Sequence, residues 1–234
     1  MGITERKMRE KEQRKMEILD AAESLFFSRE YDDVPMEEIA SIAELNKATI
    51  YLYFMNKEAL FSAIVLRGIR ILNKMYQECT ETEVPGVTKV ALLEETYYRF
   101  TRQYPDYQRL IKYYGLERFN TENPGFSGVQ EEFLMSRSFW QDAIREGIED
   151  GTIRNDIDPS LLTIYLMTTL MSTLSLTRPW LYILDQEGVS HETFVKEFAR
   201  FISPAVSTRV PDTVPVSLGE HPDNSLFFSV DPRL

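Results

Sequence analysis

Residues 36–60 read MEEIASIAELNKATIYLYFMNKEAL, and the fold follows from how this stretch is punctuated. From Glu37 to Ala43 the small and apolar residues Ile39, Ala40, Ile42 and Ala43 recur at helical spacing. Pro35 suits the first helical position, where a missing N–H costs nothing. Glu44-Leu45 leaves room only for a tight turn. Asn46 then caps a second helix, Lys47 to Phe54, and Asn56 caps a third that opens with Lys57 and Glu58. Helix, short turn, helix is an arrangement that enters a DNA groove.

On the second helix, at about 100° per residue, Ile50 and Phe54 point one way while Ala48, Thr49, Leu52 and Tyr53 point roughly the other. So short a helix with two apolar anchors does not stand alone. It needs a scaffold on one side, and its other face is then offered outward. Small, hydroxyl and aromatic side chains there suit a major groove.

Glu38-Ile39-Ala40, Asn46 through Phe54 and Asn56 through Leu60 together resemble the DNA-binding domain of the TetR family of transcriptional regulators, specifically over about Ile18 to Ile64. The resemblance implies that Lys47 and Ala48 begin the recognition helix and approach bases. It implies that Thr49, Tyr51 and Tyr53 contact phosphates or bases, and that Lys57 contacts phosphate. Three positions depart from the usual pattern. Ala48 stands where many members have Gly. Val34-Pro35-Met36 replaces a common Thr or Ser cap. Leu52 occupies a position often polar or aromatic; it cannot hydrogen-bond a base and is expected to touch a thymine methyl.

The chain of 234 residues, 43% hydrophobic and 27% charged, is long enough for one large domain or for a small one plus a medium one. A single cysteine, Cys79, forbids an internal disulfide and suits a reducing cytosol. The first 17 residues are charged throughout, so no cleavable signal peptide is expected, and the expected location is cytoplasmic. With two histidines and one cysteine, no metal site is expected. The net charge of −11 argues against generic nucleic-acid binding. From Ile3 to Lys15, however, six basic residues face three acidic ones, a local excess of +3 just before the reading stretch. DNA affinity is therefore expected to depend on a small basic edge and to fall steeply with salt.

Residues 1 to about 10 read as a flexible arm. Ile18, Leu19, Ala22, Leu25 and Phe26 then form a stripe on a first helix ending near Ser28, the floor for the helix-turn-helix. Lys57 to Cys79 reads as a long helix with two apolar stripes, a mechanical link between two domains. Helices follow at Leu92–Gln103, Tyr107–Phe119, Val129–Glu149, Ser160–Thr177 and His191–Ile202, with an Asp-Gly-x-x-Arg connector at 150–154. Ser160–Thr177 carries no charge but eight Ser/Thr, so it reads as a buried helix rather than a membrane span. The expected fold is all-α: a helix-turn-helix domain over residues 1–56, a helical effector-binding and dimerisation domain over 57–202, and a Pro-rich tail over 203–234. That tail holds five of the eleven prolines and an apolar patch at Leu226–Val230.

No nucleophile constellation, Gly-rich phosphate loop or facing carboxylate pair is found, so no catalytic residue and no cofactor is expected. Twelve aromatic residues fall between Tyr97 and Trp140. By the resemblance, such a domain holds a small effector; aromatic and Met walls suit a bulky, mostly apolar or aromatic one. Tyr97, Phe100, Tyr104, Tyr113, Phe133 and Trp140 are the candidate lining residues. The resemblance further implies a homodimer through 160–177 and 191–202, bound to a double-stranded operator as a repressor. The alternative is a DNA-binding protein with a structural or protein-partner role and no effector.

Overall fold

The computed structural model describes residues 3–117 and 125–208, and all ten of its elements there are helices. They are α1 Ile3–Ser28, α2 Met36–Ile42, α3 Lys47–Tyr51, α4 Lys57–Thr80, α5 Gly86–Gln103, α6 Pro105–Glu117, α7 Phe126–Glu149, α8 Pro159–Leu174, α9 Arg178–Gln186 and α10 His191–Val206. The one extended pairing among the described residues is an isolated bridge between Ile153 and Ser207. The expected all-α architecture is what forms. Among the described residues no single helix is long and apolar enough to cross a membrane.

The floor of the reading head is the α1 stripe. Ile18, Ala22, Leu25 and Phe26 are buried with Ile39 of α2, Ile50 of α3 and Phe54 just beyond it. The central element is α4, which buries Leu60, Phe61, Ile64 and Val65 near its start and Ile69, Leu72 and Tyr76 further along. One helix therefore shares its apolar faces between the reading head and the bundle of α5, α6 and α7.

Several boundaries differ from the sequence reading. In α1 the helix already begins at Ile3, where an arm was expected; pairs such as Arg6–Glu10 at 2.8 Å and Arg14–Glu17 at 2.7 Å suit a helical surface. In α5 the helix begins at Gly86, six residues before the expected Leu92. Its cap comes from far along the chain: Asp150 accepts from the Gly86 N–H at 2.8 Å, and Thr152 from the Val87 N–H at 3.3 Å. A Cβ at Gly86 would lie 2.1 Å from the Gly147 nitrogen, so this close crossing of α5 and α7 requires glycine. The 150–154 connector also holds α10, because Arg154 N–H donates to Val206 O at 2.9 Å. That contact lets α10 run to Val206, past Ile202. Residues 209–234, including the Leu226–Val230 patch, lie outside the described residues, as does Phe119.

The helix α9 was not anticipated. Pro179 sits in its first turn, and none of its residues is buried. The charge-free helix is α8, and its leucine stripe faces inward: Leu162, Leu166 and Leu170 are buried within the single chain. Its outward face carries Leu161, Ile164 and Tyr165, all exposed.

Candidate functional site

Two places gather the candidate site residues: the α2–α3 head and a cavity in the helical bundle.

The turn between α2 and α3 closes by backbone geometry. Leu45 N–H donates to Ala40 O at 2.9 Å and Glu44 N–H to Ser41 O at 3.2 Å, which puts Glu44 at φ 53. This is a Schellman closure, with glutamate where glycine is most common. Asn46 then caps α3, accepting from the Thr49 N–H at 2.8 Å and the Thr49 hydroxyl at 2.9 Å. Asn56 does the same for α4, accepting from the Ala59 N–H at 2.7 Å. The helix α3 is shorter than expected. It ends at Tyr51, although Tyr53 and Phe54 N–H both still donate to Ile50 O at 2.9 Å.

The exposed surface of the head comprises Lys47, Ala48, Tyr51 and Leu52, the last 79% exposed. Thr49 and Tyr53 are half-buried, and Tyr53 packs on the core. Lys47 is already engaged: its ammonium pairs with Glu37 of α2 and lies 6.0 Å from the Tyr51 ring centre. That hydrogen bond raises the Lys47 pKa and lowers that of Glu37. The Lys57 ammonium stacks over the Tyr31 ring at 4.3 Å. Arg29 pairs with Glu38, fastening the end of α1 to α2.

The cavity lies between α4, α5, α6, α7 and α8 and has a volume of about 30 Å³. Tyr97, Phe133 and Trp140 line it, with Tyr76, Gln108, Ile111, Ser136, Met167 and Met171. Phe100, Tyr104 and Tyr113 lie elsewhere. Phe100 is fully buried core, 5.6 Å from the Tyr104 ring, and Tyr104 abuts Tyr107 at 6.3 Å. Tyr113 joins Phe61 and Tyr31, at 5.9 and 6.0 Å, where the bundle meets the reading head. Among the lining residues that sequence reasoning missed, Tyr76 comes from α4 and Gln108 and Ile111 from α6; nothing in their spacing separates them from ordinary core.

The polar groups of the wall are mostly spoken for. Tyr97 and Gln108 hydrogen-bond each other at 3.0–3.2 Å, and the Ser136 hydroxyl donates to Asn73 Oδ1 at 2.6 Å. Burial pushes the Tyr97 phenol up to about 12 and the Tyr76 phenol well above its ordinary value. Phe133, Met171, Gln108 and Ile111 also line an open groove of about 510 Å³, whose far wall holds Lys112, Leu176 and Trp180. The cavity and the groove thus share one partition.

From α6 there are direct ties back to α1. Arg109 donates to the Phe26 and Phe27 carbonyls at 2.6 and 3.0 Å, and Tyr107 to Glu23 at 2.5 Å. Glu23 also meets Arg67 of α4 at 2.8 Å. The residue between Tyr107 and Arg109 is Gln108, on the cavity wall. Among the described residues no cluster of three or more His, Cys, Asp or Glu side chains is arranged to hold a metal ion.

Residues 18–64 match the family model described as bacterial regulatory proteins, tetR family. The uncharacterized HTH-type transcriptional regulator YhgD of Bacillus subtilis is 32% identical over 167 residues, 69% of this chain and 82% of that protein. The HTH-type transcriptional repressor KstR2 of Rhodococcus jostii is 26% identical over 170 residues, 71% and 80% of the two chains. Among solved structures, a transcriptional regulator FadR from Bacillus subtilis in complex with stearoyl-CoA superposes with a TM-score of 0.62 at 18% identity, covering 80% of this chain and 97% of that one. With the reading head matched, and a relative alike over most of both chains, the chain belongs to the TetR family of bacterial regulatory proteins, transcription regulators that bind DNA through a helix-turn-helix.

Proposed function

We propose that this regulator is a cytoplasmic homodimeric repressor that occupies a palindromic operator and leaves it when a small, mostly apolar effector enters the bundle. The observation that carries the reading is the sequence of neighbours on α6: Gln108 on the cavity wall stands between Tyr107 and Arg109, both bonded to α1 under the reading head. An effector that widens the cavity displaces α6, and α6 carries the head with it. The ligand acts only through its different affinity for the two head spacings.

On DNA, two copies of α3 enter successive major grooves about 34–36 Å apart. Lys47, Ala48, Tyr51 and Leu52 meet the groove. Thr49, Tyr53 and Lys57 flank it toward the phosphates. Lys47 must exchange Glu37 for a phosphate or base. The partner subunit packs against the outward faces of α8 and α10, where Leu161, Ile164, Tyr165 and Phe201 are exposed, Phe201 by 77%. Support for the repressor sign comes from the name of KstR2, and support for a long apolar effector from the stearoyl-CoA held by FadR.

The test is binding of the purified protein to the intergenic DNA beside its own gene, titrated with salt, with Lys47→Ala/Tyr53→Ala as control. Tight binding with a steep salt slope, lost in the double variant, is expected. Equal binding by the variant removes α3 from the reading role. A second reading, a DNA-binding protein governed by a protein partner, is favoured by the small volume of the cavity. Release of the operator by a small molecule alone excludes it.

A further inference from the structure

We propose that the groove between α5 and α10 binds an organic cation, its ammonium group paired with the Glu94 carboxylate and its apolar body laid along Val87, Val90, Ile202 and Val206. The groove has a volume of about 380 Å³ and shares no lining residue with the bundle cavity, so this site is separate from the one proposed for the effector.

Glu94 is what calls for a ligand. It is half-buried in the groove wall, and burial alone acts on its carboxyl, with no charge or hydrogen bond beside it. A carboxylate withdrawn from water without a partner is costly to ionise. The bases around it are engaged elsewhere. Arg200, on the same wall, pairs with Glu197 at 2.9 Å; Lys196, one turn earlier on α10, pairs with Glu192 at 2.8 Å; Lys89 of α5 pairs with Glu146 at 2.6 Å. Among the described residues the chain supplies no counter-charge, and an incoming cation does.

The backbone sets the pose. Val87, Val90 and Glu94 stand at i, i+3 and i+7 on one face of α5, and Ile202 and Val206 are four apart on α10. The 150–154 connector ties the two walls at the valine end, through Asp150 to the Gly86 N–H and through the Arg154 N–H to Val206 O. From Glu94 to Val87 is roughly 10 Å along the helix, about the length of a six-carbon amine. Phe201, which is 77% exposed, is not part of this wall, so the outward face of α10 stays free for a second copy of the chain.

The test titrates the full chain with hexylammonium chloride and with 1-hexanol, which match in length and differ in charge. It is run at pH 8, above the value of about 7 to which burial pushes the Glu94 carboxyl. Methyl signals of Val90 and Ile202 report entry into the groove. The amine is expected to bind about ten-fold more tightly than the alcohol, between the effect of an exposed ion pair and that of a buried charge-assisted bond. Glu94→Gln should abolish the preference. Glu95→Gln, at an exposed neighbouring carboxylate, should keep it. Equal binding of the two probes, or methyl signals unmoved by the amine, overturns the proposal; Arg200 or water then serves Glu94. A preference that survives Glu94→Gln, or that Glu95→Gln removes as well, overturns it too, because the attraction then belongs to the net charge of −11 and not to the groove.

Discussion

Tyr107 donates its hydroxyl to Glu23 at 2.5 Å, across 84 positions of sequence, and so fastens the cavity-lining helix to the floor of the reading head. The bond is shielded: burial, then the Glu23 carboxylate, raises the Tyr107 pKa, and Arg67 shares the same carboxylate. Gly68 makes the approach feasible, because a Cβ there would lie 2.6 Å from the Tyr107 ring.

Removing that hydroxyl should weaken coupling more than binding. Tyr107→Phe keeps the ring packing and leaves Arg109 on the α1 carbonyls. Operator affinity without ligand should stay within about three-fold. Ligand-induced release should lose roughly 1 kcal/mol of coupling, within the usual range for linked sites. Operator binding measured with and without the effector reads both quantities. Unchanged release by the variant would take Tyr107 out of the path.

Glu37 should restrain DNA binding. Its carboxylate holds the Lys47 ammonium, and both are exposed. Glu37→Gln frees the lysine and removes a negative charge beside the DNA. Affinity should rise. Lys47→Ala should flatten the salt dependence by about one unit of slope, the share of a single phosphate contact. A salt titration of wild type and both variants checks the pair of effects. A Glu37→Gln variant that binds more weakly would mean that the ion pair positions α3 rather than competing for Lys47.

What could be read in advance was local. Asn46 and Asn56 are caps in the sequence and caps in the structure, because a cap involves residues three apart. The α1 stripe and the buried Ile50–Phe54 pair were legible for the same reason. What involved distant partners was not. The start of α5 at Gly86 is not legible locally, because its cap, Asp150, is 64 residues away. The burial of Leu162, Leu166 and Leu170 within the chain is not legible either, because periodicity tells that a face is apolar, not which neighbour covers it. The segment between Thr177 and His191 carries no helix in the sequence reading, whereas Pro179 opens α9 there. Among the aromatic residues, Tyr97, Phe133 and Trp140 reach the cavity while Phe100, Tyr104 and Tyr113 pack elsewhere, and composition does not distinguish the two sets.

Asp150 should stabilise the fold only while ionised. Its carboxylate is held below the usual range by the Thr152 hydroxyl and then by the Gly86 N–H. A depressed pKa in the native state contributes stability above the unfolded value, lost as pH falls through the folded one. Asp150→Ala should therefore lower Tm at pH 7. The gap from wild type should narrow below about pH 4, the ordinary carboxylate range. Thermal melts across pH 3–7 test this; a gap that stays constant with pH would leave the cap but remove its charge from the account.

Glu94 should behave in the opposite sense. It lines a groove of about 380 Å³ between α5 and α10 among Val87, Val90, Ile202 and Val206. Burial pushes its carboxyl up to about 7. The nearest base on that wall is Arg200, which pairs with Glu197 at 2.9 Å. The native state then holds a proton that the unfolded chain releases above its ordinary value of 4.5, so stability falls as pH rises from there to about 7 and stays reduced above. Glu94→Gln removes the ionisation. At pH 8 it should stabilise by roughly 1 kcal/mol, a reduced figure because the carboxyl is only partly buried and water screens it. Near pH 4 it should change little. Chemical denaturation at the two pH values decides it: a variant less stable than wild type at pH 8 would mean that the charged form of Glu94 has a partner worth more than its burial costs.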